Sequence, residues 1–126
     1  MAELNPGGAS DMSHAIQKRN YERVSSSDAV IVLSTSTHRG KRLMVLTDGA
    51  EIQVPTGLAT DFECSIVSYG DFTITYSAGV TFNNQTPTTI SVSPPSLNLP
   101  STVVLDASPD YGADDYLLYG SSIVFT

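Results

Sequence analysis

The chain has 126 residues, 40% of them hydrophobic, which is material for one domain and one modest core. Thirteen acids against six bases give a net charge of −7, which argues against a nucleic-acid binder, and no apolar run approaches the ~20 residues that span a membrane. A single cysteine, Cys64, excludes an intramolecular disulfide framework and a cysteine-rich zinc site.

The charge is unevenly placed. All six bases, Lys18, Arg19, Arg23, Arg39, Lys41 and Arg42, lie in residues 1–42, where four acids leave a net +2. Residues 43–126 hold nine acids and no base, a net −9. One end of the chain is therefore suited to docking on an acidic partner.

In chain order, the start MAELNPGGAS has no basic opening and no apolar stretch, so no secretory signal is expected. Asn5-Pro6-Gly7-Gly8 reads as a flexible lead and Ser25-Ser26-Ser27 as a polar break. Between them Met12, Ile16 and Tyr21 are the only large apolar residues from Ser10 to Arg23, too few for a stable lone helix. Residues 1–27 are expected to be an extended N-terminal arm that orders against another surface. Residues 28–126 are expected to be the β domain.

Short strand-like runs follow from Asp28. Ala29–Leu33 is apolar and β-branched, and Thr37-His38-Arg39-Gly40 breaks it. Arg42–Thr47 and Ala50–Val54 flank Asp48-Gly49, a strong hairpin signal. After a turn at 55–58, Phe62–Tyr69 alternates imperfectly and Gly70-Asp71 marks another tight turn. Phe72–Ser77 alternates cleanly, with Phe72, Ile74 and Tyr76 on one face. Further runs lie at 80–82, 88–93, 102–105, 116–119 and 123–125, punctuated by Asn83–Pro87, Pro94-Pro95 and Pro100. The pattern predicts an all-β fold, a compact sandwich or barrel-like domain of about eight short strands, with no convincing internal repeat.

Chemical machinery is sparse. Cys64 falls on an apolar face with Phe62 and Ile66, as a small hydrophobe would. His14 and His38 are isolated in polar contexts and are expected at the surface. Asp106, Asp110, Asp114 and Asp115 form an acidic loop whose spacing fits no EF-hand, so a solvated loop is expected there. Asp61 and Glu63 share a strand face without any sign of opposed pKa tuning. No enzyme, cofactor or metal site is expected. The tyrosines Tyr69, Tyr76, Tyr111, Tyr116 and Tyr119 suit a protein or sugar contact, and of these Tyr69, Tyr111 and Tyr116 are the candidate receptor or subunit contacts.

Three segments, Ile52–Leu58 with Phe62–Val67, Phe72–Tyr76 with Gly79–Asn84, and Tyr116-Leu117-Leu118-Tyr119-Gly120, carry a resemblance. In order, they resemble a small β module of tailed-bacteriophage virion proteins, of the head decoration (cement) and fibre types. The resemblance covers about residues 28–120. It departs at Tyr116, where a Trp is usual, and in the Pro-rich 94–100 and acidic 106–115 segments. It implies a non-enzymatic structural protein on the capsid surface of the virion, made in the host cytoplasm and often trimeric. The implied partners are the major capsid protein and two further copies of the chain, with no membrane or nucleic acid. On this reading the arm docks on the shell, with Met12, Ile16 and Tyr21 as apolar anchors and Lys18, Arg19 and Arg23 as charge partners. The alternative is a trimeric tail-fibre or tail-adaptor component that binds a host-surface glycan.

Overall fold

The computed structural model describes residues 22–96, 98–107 and 113–126. Eleven strands and one helical turn are found among them. They are β1 (Arg23–Ser26), β2 (Val30–Val32), α1 (Thr35–His38), β3 (Lys41–Val45), β4 (Ala50–Val54), β5 (Glu63–Ser68) and β6 (Phe72–Tyr76). After these come β7 (Thr81–Phe82), β8 (Ile90–Val92), β9 (Ser101–Ala107), β10 (Asp115–Gly120) and β11 (Ile123–Phe125). They make two sheets, ordered β1-β3-β5-β9-β10-β7 and β11-β8-β6-β4-β2. The fold is an all-β sandwich.

The turns at Asp48-Gly49 and Gly70-Asp71 are not hairpins. β3 and β4 belong to different sheets, as do β5 and β6, so each turn is a corner where the chain crosses from one layer to the other. β1, β3 and β5 run parallel in one sheet, and β2, β4 and β6 run parallel in the other. Residues 23–76 therefore wind as three coils of a two-sheet solenoid. Arg23 lies beside Arg42 and Lys41 beside Cys64, spacings of 19 and 23 residues. This variable period hides a structural repeat that the sequence does not display.

Stacked corners hold the coils in register. Asp48 Oδ1 accepts the Asp71 backbone N–H at 2.8 Å, and Gly49 N–H donates to the Asp71 carbonyl at 2.8 Å. Thr47 Oγ1 donates to the Ser27 carbonyl, tying the second corner to the first. A Cβ on Gly70 would lie 2.6 Å from Asp48 Oδ1 and 2.9 Å from Asp48 Cα, so this close approach requires glycine.

The core follows from the period-2 alternation. Leu43, Ile66 and Val103 form one inward row. Facing it, Ile31, Ile52, Ile74 and Ile90 form another, which Phe125 ends. Phe62, Phe72, Phe82 and Tyr116 fill the largest buried volumes. From β8 the mode of pairing changes. β9 closes the third coil by pairing antiparallel with β5, and β8 does the same with β6. Gly120 lies at φ 144°, and a Cβ there would be 2.2 Å from the Thr102 carbonyl oxygen, so β10 can end only in glycine at this crossing.

Arg23–Ser26 is a paired strand of the six-stranded sheet, so the folded body takes in the last part of the expected 1–27 arm. Residues 1–21 lie outside the described residues.

Candidate functional site

Alternation gives each sheet an outer face, and the two differ. On the five-stranded sheet one outward row runs Val30, Glu51, Thr73, Ser91, Val124, and the next runs Val32, Gln53, Thr75. Its middle is polar and internally bonded. Glu51 Oε2 accepts from Gln53 Nε2 at 3.0 Å and from Thr75 Oγ1 at 2.8 Å. These bonds, Gln53's first, hold the Glu51 carboxyl below the usual range.

The outer face of the six-stranded sheet mixes apolar residues with polar ones through its middle. One outward row runs Arg23, Arg42, Ser65, Val104, Tyr119, and the next runs Ser25, Met44, Val67, Thr102. Leu117, beside Asp106, adds to one end. Leu46 and Tyr69 extend β3 and β5 at the other end, exposed at 64% and 67%. Met44, Val67 and Val104 are half-buried, and Tyr119 is 51% exposed. Leu46, Tyr69 and the Thr47-Asp48 corner line an open groove of about 480 Å³ that continues this face. Apolar side chains thus run across a solvent-facing sheet from Leu46 to Leu117, where an antiparallel or mixed sheet ordinarily turns polar.

Of the residues expected to dock, Met12, Ile16, Lys18, Arg19 and Tyr21 lie outside the described residues, as does Tyr111. Arg23 is exposed on the edge strand β1. Tyr69 is a surface residue at the groove. Tyr116 is not a contact residue. It is 1% exposed and packs against Phe82 with ring centroids 6.2 Å apart, and Phe82 meets Tyr76 edge-to-face at 5.2 Å. Burial, helped by the nearby Asp114 charge, pushes its phenol up to about 12. In Tyr-Leu-Leu-Tyr both alternating sets contain an aromatic and a leucine, so parity is invisible in the sequence. The structure sends Tyr116 and Leu118 inward, leaving Leu117 and Tyr119 outside.

His38 also differs from its expected surface position. It is buried at the end of α1, where Nδ1 accepts the Ser34 backbone N–H at 3.0 Å. Ser34 caps the turn, its Oγ accepting from Thr37 N at 3.3 Å. Burial holds the His38 pKa below the ordinary histidine value. Cys64 is buried, and burial pushes its thiol up to about 12, the state of an inert side chain. Asp114 Oδ1 accepts from Gly57 N–H at 2.8 Å, and Asp115 Oδ1 accepts from Thr81 Oγ1, so both acids tie loops to the body. Asp61 is exposed and pairs with Arg39 at 3.3 Å. Among the described residues, no three His, Cys, Asp or Glu side chains gather as a metal site would require.

The apolar outer face was open to discovery in the sequence. In β3, β5, β9 and β10 both alternating sets contain apolar residues, whereas β4, β6 and β8 are apolar on one set and mostly polar on the other. The four longer two-sided strands lie in the six-stranded sheet, while in the five-stranded sheet only the short border strands β2 and β11 are apolar on both sets. No protein-family model and no curated protein matches the chain.

Proposed function

We propose that the protein is a non-enzymatic virion structural protein, a decoration or cement protein that binds and stabilises the head shell of a tailed phage through its major capsid protein. The observation that carries this reading is the contrast between the outer faces. A face whose middle is polar and internally bonded suits solvent, and a face that sets Met44, Val67, Val104, Leu117 and Tyr119 among its polar residues suits a protein surface. The basic first third, with Arg23 exposed at the border of that face, supplies the charge that steers toward an acidic shell.

Co-sedimentation with purified tailed-phage heads tests the reading. The double variant Val67→Asp/Tyr119→Asp is expected to bind about tenfold more weakly or worse, since a charge set into an apolar contact is costly. Neutralising Lys18, Arg19 and Arg23 should weaken binding at low salt and flatten its salt dependence. Equal binding by the wild type and the double variant would refute docking through this face.

One observation favours a second reading, a tail-fibre or adaptor module that binds a host-surface glycan. Tyr69 stands exposed beside a groove that also offers the Thr47 and Asp48 side chains, an aromatic platform next to polar groups. Glycan-array binding that Tyr69→Ala abolishes would select this reading over the first.

A further inference from the structure

The first coil ends in two open strand edges at the same end of the sandwich. Glu22 and Ser26 carbonyls accept from Arg42 and Leu46 N–H groups, each at 2.8 Å. Bonding in a parallel ladder alternates, so the N–H and C=O groups of Arg23 and Ser25 point away from β3. In β2 the Ala29 carbonyl accepts from Glu51 N–H at 2.8 Å and Leu33 N–H donates to the Gln53 carbonyl at 3.0 Å. The backbone groups of Val30 and Val32 therefore also point outward. Among the described residues no strand pairs with either edge.

Exposed edges are ordinarily guarded by proline, lysine or a bulge. β2 (VIV) carries none of these, and β1 (RVSS) has no proline, lysine or bulge, its one charge being Arg23 at the strand's start. The Val30 and Val32 side chains are instead 47% and 54% exposed. By contrast β7, the far border of the six-stranded sheet, is closed by its own turn, with Phe82 and Gln85 exchanging two backbone bonds of 2.8 Å.

We propose that the open coil end pairs with the same end of a second copy of this chain, so that both sheets continue across the junction. The geometry is self-complementary. Val24 and Ile31 both face inward, and they sit equally far along the chain from the Ser27-Asp28 corner. A two-fold axis normal to the sheets and passing by both residues sets β1 antiparallel to its counterpart, with Arg23 opposite Ser25 of the second copy. The same axis sets β2 antiparallel to its counterpart, with Val30 opposite Val32 of the second copy. In both pairs the residues that meet are those whose backbone groups are free, as a hydrogen-bonded antiparallel pair requires. One symmetry operation thus satisfies two edges, which is the mark of an isologous contact.

The chain's own upstream segment is a poorer occupant. Residues 1–21 contain one β-branched residue, Ile16, together with Pro6, Gly7 and Gly8, a composition unlike that of the coil strands.

Solution mass against concentration, on the full chain, tests the pairing. Wild type is expected to rise from the 13.4 kDa chain mass to twice that value. Ser25→Pro removes only an outward N–H, and Val32→Lys places a guarding charge on the edge. Each is expected to raise the dissociation constant about tenfold or more without lowering the unfolding temperature of the dilute protein. Amide exchange at Arg23, Ser25, Val30 and Val32 should slow as wild-type concentration rises. A single-chain mass at every concentration would overturn the proposal. So would a dimer or trimer that neither variant weakens, or slow exchange at these four amides in the single chain, which would mean that residues 1–21 cover the edges.

Discussion

The two halves of the molecule build the same sandwich by different routes. From β1 to β6 every connection crosses between the layers, and all neighbouring pairs within this half are parallel. From β8 onward the new pairings are antiparallel, save the short parallel pair of β10 with β7, and the β9 to β10 connection stays within one sheet. Both routes satisfy one requirement, that every second side chain reach a common interior. Inward alternation specifies a core without specifying which strand is the neighbour. The difference shows at the ends. β8 and β9 cap the last coil, while the first coil keeps its edges bare among the described residues.

If the halves share one core, they should fail together. Ile52 in the coils and Leu105 in the antiparallel half are both fully buried. Either one truncated to alanine should cost about 2–5 kcal/mol in denaturant unfolding, with the steepness of the transition unchanged. A shallow or biphasic curve for one variant alone would show that the halves unfold separately, and the comparison would then be one of two subunits of structure rather than two routes to one.

The fold class was legible in the sequence for a plain reason. Runs such as Phe72-Thr73-Ile74-Thr75-Tyr76 alternate, and proline and glycine separate them. The topology was not legible. An Asp-Gly pair makes a hairpin turn or a corner, and the choice depends on whether the flanking strands bond to each other or to strands some 20 residues away. For Asp48-Gly49 the bond from Asp48 Oδ1 to Asp71 N–H decides it, and nothing local announces that contact. His38 was misplaced for the same kind of reason. Thr37, Arg39 and Gly40 surround it in sequence, but it is α1's fold-back against Ser34 that buries the ring. The candidate surface was readable in part, since Met44 beside Leu43 and Val67 beside Ile66 already break one-sided alternation.

The stacked corners at Asp48 and Asp71 sharpen the comparison further, because they lie in the coil half. Gly70→Ala should cost about 1–3 kcal/mol, as its Cβ meets both the side chain and the backbone of Asp48. Asp48→Ala alone should cost about 1 kcal/mol for the lost bond to Asp71. In the double variant the two costs should not add. Removing the Asp48 carboxylate deletes the 2.6 Å conflict while leaving the 2.9 Å approach to Cα, so part of the Gly70→Ala penalty should return. Strict additivity in thermal or chemical unfolding would mean that the corners do not stack as described.

The smallest effect concerns α1, which links the first coil to the second. Burial lowers the His38 pKa in the folded state, and its Nδ1 must be unprotonated to accept the Ser34 N–H. The neutral ring is therefore the form that folding prefers. Its contribution to stability is present above the unfolded-state pKa, near 6.5, and is lost as pH falls through the lowered folded value. One proton limits the slope to ~1.4 kcal/mol per pH unit. Carboxylates also titrate on the acid side, so the diagnostic quantity is the difference between wild type and His38→Asn, a variant that cannot titrate. That difference should narrow steadily below pH 6.5 and stay constant above it. A constant difference across the whole range would show that the ring takes up its proton equally in the folded and unfolded chains, and that burial at the α1 turn sets no preference.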